Sequence, residues 1–239
     1  MGKELDSGYS IEDGNHLPIN IRVHLRQEQN LHPEATGALT SILTDLSVVA
    51  KTVSYLINTA GISDAYGLTG RTNIQGEKVL KLDERANEQF KRVLQSNPYM
   101  AGYASEEEDG FVSFPVDDKR KYIAWFDPLD GSSNFDTNVS IGSIFAIYKK
   151  VTDKQIPVDE KDFLQKGCEQ VCSGYFLYGT STMFVYTTGN GVYGFTLDPS
   201  IGEFVLPNGY SQIQTPETGK TYSINEGYSY RWTSNVTKY

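Results

Sequence analysis

The sequence predicts a layered α/β or α+β fold, and three observations indicate it. Apolar residues recur at helical spacing over residues 39–56 and again over residues 82–94. From Tyr122 onward, short apolar runs alternate with turn-forming residues, which is typical of strands. The helices come first and the strands later, with one helix–strand alternation, an order that favours layers over a barrel.

The first part of the chain is predicted to be helical. Residues 1–16 are polar and rich in turn formers, so they are expected to form a loose arm. A helical pattern starts at Pro33, and Gly61 is expected to stop it. Residues 67–76 have the composition of a loop. A second helix is predicted over residues 83–95, with Asp83 at the capping position.

The rest of the chain is predicted to be mainly strands. Residues 122–126 form an apolar run that ends directly at Asp127, as expected for a buried strand that leads into a site. Residues 141–148 and 175–186 also have strand patterns. Asn190-Gly191 predicts a hairpin, and Asp198-Pro199-Ser200 predicts a turn into residues 203–206. Residues 207–220 are polar and contain prolines and glycines, so they are the best candidate for a domain boundary.

The amino-acid composition excludes several classes of function for this chain. The net charge of −9 argues against nonspecific nucleic-acid binding, although bound metal ions would still permit an anionic substrate. No uninterrupted apolar run approaches the roughly 20 residues that span a membrane, and no secretory signal is visible, so a cytoplasmic location is expected. Cys168 and Cys172 are interpreted as ordinary thiols. All three histidines precede residue 33, so the chemistry is expected to depend on carboxylates.

Two acidic clusters lie near the strands: residues 105–109, and Asp127 with Asp130. An acidic run is usually a solvated loop. The second cluster, however, directly follows a strand and precedes a Gly-Ser-Ser turn. Carboxylates and the Leu129 carbonyl are the oxygen ligands that Mg²⁺ prefers. The backbone and hydroxyls of residues 131–133 can hold a phosphate, which would place an anion beside the metal as phosphoryl transfer requires.

These residues resemble a known family. The run Trp125-Phe126-Asp127-Pro128-Leu129-Asp130-Gly131-Ser132-Ser133-Asn134 is similar to the signature of class I fructose-1,6-bisphosphatases, within the lithium-sensitive, Mg-dependent sugar phosphatase superfamily. Inositol monophosphatases, which belong to the same superfamily, usually carry Gly-Thr instead of Gly-Ser-Ser. Residues 73–83, 105–107, 197–204 and 222–228 also match, in the family's order. The resemblance implies an αβαβα-type sandwich, with an N-terminal domain over residues 17–206.

The resemblance also implies roles for individual residues in the Mg-dependent hydrolysis of the 1-phosphate of fructose 1,6-bisphosphate, a reaction of gluconeogenesis. The implied ligands of two or more metal ions, Mg²⁺ or else Mn²⁺ or Zn²⁺, are Glu106, Asp127, Asp130 and the Leu129 carbonyl. The implied residues that hold or activate the attacking water are Glu77, Asp83 and Glu107. The implied substrate contacts are Asp130, Gly131, Ser132, Ser133, Asn225 and Tyr228. Simpler interpretations remain open: Asp83 as a helix cap, Glu77 as a loop residue, Asn225 in a turn and Tyr228 in the core.

A regulatory AMP site near the first helix is implied as well. The positions that match it are Thr36, Gly37, Leu39, Thr40, Lys121, Tyr122 and Lys149. The match is partial. Ala38 stands where relatives often have Glu, and Lys149 stands where they often have Arg. A lysine cannot make the bidentate contact that an arginine makes. The alternative is a helix cap with surface lysines.

Family subunits continue beyond the position where this chain ends and assemble as homo-oligomers, typically tetramers. We therefore expect a chain truncated within its C-terminal domain, residues 207–239, with weak metal binding and little turnover. Two other functions are weighed: an inositol-phosphate or other sugar phosphate phosphatase of the same superfamily, and a noncatalytic fragment that binds metal or AMP.

Overall fold

The three long helices precede the strands of the large sheet along the chain, as predicted, although two short strands lie before the third helix. The structure is a computed structural model that describes residues 19–63, 67–72, 78–206, 212–224 and 226–238. The predicted N-terminal arm, Glu77 and Asn225 lie outside the described residues.

Three helices are long enough to build a layer. Helix α1 spans Ile21–Asn30, α2 spans Ala38–Thr59 and α3 spans Lys81–Ser96. Helix α1 was not predicted. Helix α2 begins at Ala38 rather than Pro33, because Gly37 has a left-handed backbone (φ +78°) that a continuing helix cannot contain. It ends at Thr59, where a 3₁₀ turn over Ala60–Ile62 takes over.

The prediction that Asp83 caps α3 is wrong. Helix α3 begins two residues earlier, at Lys81, whose N–H donates to the Gly67 carbonyl at 3.0 Å. Asp83 therefore lies inside the first turn, and only 2% of it is exposed. The predicted loop over residues 67–76 is also wrong in part, because two short antiparallel strands, β1 and β2, precede the helix. They span Leu68–Thr72 and Lys78–Leu80.

A mixed sheet of eight described strands forms the centre of the fold. Its strands in chain order are β3 (Met100–Ser105), β4 (Val112–Ser113), β5 (Tyr122–Asp130), β6 (Ile141–Lys149), β7 (Gln170–Tyr178), β8 (Thr182–Thr187), β9 (Val192–Asp198) and β10 (Glu203–Val205). The spatial order is β10-β9-β8-β7-β6-β5-β3-β4. Strands β3 and β5 are parallel, and every other neighbouring pair in this sheet is antiparallel. The layered α/β class is therefore confirmed.

The predicted turns occupy their expected places. Asn190 and Gly191 lie between β8 and β9, which pair antiparallel. After β9, the Asp198 carboxylate accepts hydrogen bonds from the N–H and the hydroxyl of Ser200, at 2.9 and 2.6 Å, and the chain turns into β10. Both cysteines are free thiols, as predicted: Cys168 is exposed and Cys172 is buried.

Helices α1–α3 cover one face of the sheet. Their buried residues, such as Leu46, Val53 and Phe90, pack in one cluster with Phe176 and Phe184 of the sheet. A smaller cluster on Ile123 and Tyr148 packs against the segment of the short helix α4 (Glu160–Phe163). Among the described helices, only α2 with the turn after it is long and apolar enough to cross a membrane. Its buried stripe packs on the sheet, which is the arrangement of a core helix.

Candidate active site

The carboxyl ends of the parallel strands β3 and β5 bring the two acidic clusters together. Ser105 pairs with Phe126 at the end of the ladder, and the Glu106 N–H donates to the Phe126 carbonyl at 3.0 Å. Glu106 and Asp127 are therefore the first residues beyond this pairing on adjacent strands. In α/β sheets, ligands bind outside the carboxyl ends of strands, so this edge is the expected place for a site.

A β-bulge at the end of β5 carries the aspartates. Asp127 pairs with Ile144 and Asp130 with Gly142, so three steps along β5 oppose two steps along β6. In a regular strand, residues three apart face opposite sides, and one extra residue offsets this alternation. The Asp127 carboxylate accepts the Leu129 N–H at 3.0 Å across the bulge. The bulge thus offsets the regular alternation of side chains between Asp127 and Asp130.

The electrostatics of Asp127 show a shared negative field. Burial, opposed by the hydrogen bond from Leu129 and supported by repulsion from Asp130, Glu106 and Asp83, raises the pKa of Asp127 to about 6. Three other predicted site residues are thus close enough to Asp127 to repel its carboxylate. A divalent cation would relieve this repulsion, and carboxylate and carbonyl oxygens are donors that suit Mg²⁺.

The side chains of this cluster do not converge on one point. Across the described parts of the chain, no three His, Cys, Asp or Glu side chains are grouped closely enough to hold a metal ion. The structure therefore places the predicted ligands Glu106, Asp127 and Asp130 in one region without showing a coordination shell. Glu77, predicted to act on the water, falls outside the described residues.

Helix α3 brings Asp83 to this edge and is tied to the acidic turn. Its Phe90 ring stacks on Phe126 with centroids 4.6 Å apart, which fixes the helix on β5. One turn after Asp83, the buried Asn87 accepts the Ser105 hydroxyl at 2.9 Å and donates to Glu108 at 3.1 Å.

Further bonds complete this connection between α3 and the acidic turn. Lys91 forms an ion pair with Glu108 at 2.7 Å, and the Glu107 N–H donates to the Ser105 hydroxyl at 3.3 Å. The turn that carries Glu106 and Glu107 is therefore anchored to the helix that carries Asp83. Sequence reasoning included Glu108 in the acidic cluster over residues 105–109 but gave it no role, and it missed Asn87. The only signal for Asn87 is that it lies four residues after Asp83, on the same helical face.

The Gly-Ser-Ser segment forms a tight turn, as predicted. Gly131 has φ +80°, a conformation that glycine adopts without strain. The 3₁₀ turn Ser132–Thr137 follows at once, and the Asn134 N–H donates to the Gly131 carbonyl at 2.9 Å. Ser132 is half-buried and Ser133 is exposed. The turn directly continues the bulge, so a phosphate there would lie next to the carboxylates.

Tyr228 is not a core residue. It lies in the 3₁₀ segment Glu226–Arg231 and is 57% exposed, so the alternative of a core aromatic is wrong. Its ring packs against Arg231, at 5.5 Å, and Tyr230 of its own segment. Its predicted partner in substrate binding, Asn225, is outside the described residues. The sugar-contact role of both stays a prediction.

A second candidate site lies at the opposite end of β5. A cavity of about 580 Å³ between α1, α2 and the sheet is lined by every residue predicted for AMP: Thr36, Gly37, Leu39, Thr40, Lys121, Tyr122 and Lys149. Arg120, Lys150 and Lys154 add three more cations, whereas Glu28 and Glu34 are the acidic residues among the described residues of the lining. The cavity is thus a basic pocket in an acidic protein. Sequence reasoning missed these additional residues.

Gly37 shapes the wall of this cavity. A Cβ at Gly37 would lie 3.4 Å from the Gln29 side chain, and its φ of +78° would strain any other residue. Gln29 accepts the Thr40 hydroxyl at 2.8 Å, which links α1 to α2 across the pocket. The prediction that these residues share one site is consistent with this geometry, while their ligand stays a proposal.

The fold and the site together define a class: a layered α/β phosphatase fold with carboxylates at the ends of parallel strands and a Gly-Ser-Ser turn beside them. The sequence profile of the family described as "Fructose-1-6-bisphosphatase, N-terminal domain" matches residues 21–209. The chain belongs to the class 1 fructose-1,6-bisphosphatase family.

Individual relatives agree with this assignment. The chain is 50% identical over 221 residues to "Fructose-1,6-bisphosphatase class 1" of Chloroherpeton thalassium, covering 92% of this chain and 63% of that protein. It is similar to Leishmania major fructose-1,6-bisphosphatase in holo form, with a TM-score of 0.84, 33% identity and coverage of 93% and 68% of the two chains. The T-state form matches with a TM-score of 0.77, 33% identity and coverage of 93% and 67%. The chain therefore spans 63% of the length of this curated relative.

Proposed function

We propose that the carboxylate edge of this chain hydrolyses the 1-phosphate of fructose 1,6-bisphosphate with the help of divalent cations. The observation that supports this most is the shared field of Asp83, Glu106, Asp127 and Asp130 beside the Gly131 turn. Carboxylates held near one another against their own repulsion are typical of sites that bind cations and anionic substrates together. The products are fructose 6-phosphate and inorganic phosphate, and the proposed location is the cytoplasm.

The residues divide the chemistry between them. Glu106, Asp127, Asp130 and the Leu129 carbonyl would hold Mg²⁺, or else Mn²⁺ or Zn²⁺, which would neutralise phosphate charge when bound. Asp83 and Glu107, with Glu77, would orient the attacking water and accept its proton. The N–H groups and hydroxyls of residues 131–133 would orient the 1-phosphate in line with that water. The water oxygen would form the new bond to phosphorus while the bond from phosphorus to the sugar oxygen breaks, and the proton taken from the water would pass to the leaving sugar oxygen to give its hydroxyl.

The test is phosphate release from fructose 1,6-bisphosphate with and without MgCl₂, with inositol 1-phosphate as the competing substrate. We expect Mg²⁺-dependent release from the bisphosphate, with fructose 6-phosphate as the sugar product, and loss of about 10²-fold or more in Asp127→Asn. Asp109→Asn is the matched control, because it removes one exposed carboxylate from the same edge. Release that needs no cation, or faster release from the inositol phosphate, would contradict the proposal.

We propose that the basic cavity binds AMP and that the functional unit is a homo-oligomer. The five lysines and arginines in the lining suit a phosphate, and the Gly37 wall suits close approach of a ligand. Calorimetry with AMP should show binding that Lys149→Ala weakens at least about tenfold, because a charge-assisted contact is lost. Lys166→Ala, an exposed lysine outside the cavity lining, should bind as the wild type does. Equal affinity in both variants would contradict an AMP site here.

A further inference from the structure

Two buried hydroxyl groups support the bulge that carries the aspartates. The Ser143 side chain, on β6, donates to the Pro128 carbonyl at 2.7 Å. The Tyr178 hydroxyl, on β7, lies 2.9 Å from the Ser143 oxygen. Ser143 is fully buried and Tyr178 is 5% exposed. These contacts run from the interior of the sheet to the middle of the Asp127–Asp130 segment, and the family signature contains neither residue.

The direction of the two hydrogen bonds follows from proton counting. A carbonyl can only accept, so the single hydroxyl proton of Ser143 is committed to Pro128. Tyr178 must then donate its own proton to Ser143. Burial raises the pKa of Tyr178, so the phenol stays protonated and keeps this donor. Tyr178 therefore donates to Ser143, and Ser143 donates to the Pro128 carbonyl in the bulge.

The bulge explains why these two hydrogen bonds are needed. Ladder pairing between β5 and β6 is interrupted between Asp127–Ile144 and Asp130–Gly142, and Ser143 stands opposite the interruption. A bulge disrupts the regular hydrogen bonds of the ladder, and a buried carbonyl must find another donor. The Ser143 hydroxyl supplies it. Without that bond, the Pro128 carbonyl would lack this donor, and the bulge would be free to shift toward another register.

We propose that Ser143 and Tyr178 are positioning residues that fix the spacing of Asp127, the Leu129 carbonyl and Asp130 for a divalent cation. The inference rests on the proposed function, since it concerns the same cation site. Neither side chain touches the cation or the substrate. Their effect passes through the Pro128 carbonyl to its two neighbours in the chain. Groups that orient metal ligands from behind typically change metal affinity 10- to 100-fold when they are removed.

The experiment is titration of the full chain with MnCl₂, followed by calorimetry and by the electron paramagnetic resonance of free Mn²⁺. We expect Ser143→Ala to weaken Mn²⁺ binding by about 10-fold or more. Ser143→Thr should restore affinity to within about threefold of the wild type, because it keeps the hydroxyl. Tyr178→Phe should give an intermediate loss, because Ser143 keeps its bond to Pro128 but loses its donor.

Ser54→Ala is the matched control. It removes another buried hydroxyl pair, Ser54 with Thr182 at 2.7 Å, and Thr182 pairs with Tyr178 across β7 and β8. The control therefore loosens the neighbouring part of the sheet without touching the bulge. Ser54→Ala should lower the Tm and leave the Mn²⁺ affinity unchanged. If Ser143 had a purely structural role, Ser143→Ala would also lower the Tm without changing the Mn²⁺ affinity.

The outcomes distinguish failure of the proposed function from failure of the positioning role alone. If the wild-type chain binds no Mn²⁺, the proposed function fails and the inference falls with it. If the wild type binds Mn²⁺ but Ser143→Ala and Tyr178→Phe bind it equally well, only the positioning role is overturned. Equal losses in Ser143→Ala and Ser54→Ala would also overturn it. Should Ser143→Ala fail to fold, as circular dichroism would show, Tyr178→Phe decides the question, because it keeps the ring and removes only the hydroxyl.

Discussion

At the scale of single residues, Asp127 combines a functional demand with a stability cost. Burial and three nearby carboxylates raise its pKa to about 6, so at neutral pH the folded chain keeps a carboxylate ionised in a place that disfavours its charge. The unfolded chain has no such cost. Ionised Asp127 therefore lowers the stability of the protein until a cation compensates for the repulsion.

The first prediction is that Asp127→Asn stabilises the chain in metal-free buffer at pH 7.5. We expect the free energy of unfolding to rise by about 1 kcal/mol, a value discounted for partial exposure of the site. Urea denaturation with EDTA measures this change. Asp109→Asn makes the same change in net charge at an exposed position and should have little effect. A variant less stable than the wild type would show that Asp127 has a structural role that outweighs the repulsion.

The pKa of His24, which lies away from the candidate active site, is lowered, whereas that of Asp127 is raised. The His24 ring is 6% exposed and lies 4.4 Å from Tyr193 and 5.2 Å from Phe195, between centroids. Its Nε2 has no hydrogen-bond partner among the described residues. Burial lowers its pKa to about 4. The titratable groups facing this cluster are the phenols of Tyr186 and Tyr193, with Glu28 close to both.

The second prediction is a loss of stability in acid that depends on His24. Between pH 6.5 and about 4, the unfolded chain binds a proton at His24 and the folded chain does not, so stability falls as pH falls. The full loss is about 3 kcal/mol, since each pKa unit corresponds to about 1.4 kcal/mol. Asp127 acts in the opposite direction over a similar range. The measurement is therefore the difference between the wild type and His24→Phe, by urea denaturation at pH 7.5 and pH 4.5. If the difference in the free energy of unfolding between the wild type and His24→Phe is the same at both pH values, the prediction is refuted. His32→Gln, which changes an exposed histidine, is the control.

At the scale of elements, the connection between α3 and the turn after β3 holds two parts of the candidate site together. Asn87 bonds to Ser105 and Glu108, and Ser105 bonds to the Glu107 N–H. Asp83 lies one turn earlier on the same helix. A change in this connection should therefore alter the spacing between Asp83 and the acidic turn, as well as stability.

The third prediction concerns Asn87→Ala. Loss of its two bonds leaves buried groups of Ser105 and Glu108 without that partner, so we expect a destabilisation of about 1–3 kcal/mol. We also expect weaker Mn²⁺ binding, because Glu106 would be less well fixed. Gln95→Ala, on an exposed position of α3, controls for the helix itself. If stability falls while Mn²⁺ affinity is unchanged, Asn87 supports the fold alone.

The elements also show which structure can be predicted from sequence. Helices α2 and α3 and strands β5, β6, β9 and β10 have clear apolar patterns and are confirmed. The strand pattern over residues 175–186 is wrong in part, because residues 179–181 turn the chain between β7 and β8. Helix α1 was missed because it buries only Ile21, His24 and Leu25, which is too weak a stripe to detect. Strand β3 was missed because Met100–Ser105 is buried on both faces, so it does not alternate. The start of α3 was misplaced because Asp83 suits a cap, whereas β2 leads directly into the helix.

The candidate active site also has a part that the sequence predicts and a part that it does not. Residues 127–133 are contiguous, so one segment of sequence was enough to predict that the aspartates and the Gly-Ser-Ser turn lie side by side, although the bulge between Asp127 and Asp130 was not predicted. Ser143 and Tyr178 contact this unit from other strands, and their identity depends on the register of β5 against β6 and β7. A one-residue change in that register would move both side chains to the other face. No local pattern contains this information.

At the scale of the whole molecule, β5 connects the two candidate sites. Its first residue, Tyr122, lines the basic cavity, and its last residues form the carboxylate edge. Asp127 lies five steps along the strand from Tyr122, which corresponds to roughly 16 Å at the rise of a strand. The protein, with a net charge of −9, thus gathers cations at one end of this strand and carboxylates at the other.

The fourth prediction is that Mn²⁺ and AMP stabilise the chain independently. A ligand at about 100 times its Kd that binds only the folded state adds about 2.7 kcal/mol, which for a chain of this size raises the Tm by roughly 5–10 °C. Differential scanning calorimetry with each ligand alone and with both should give separate increases. Asp127→Asn should lose the Mn²⁺ increase and keep the AMP increase, whereas Lys149→Ala should do the reverse. If either substitution removes both increases, the two ends of β5 do not form separate sites, and the division of the molecule into a basic and an acidic site is wrong.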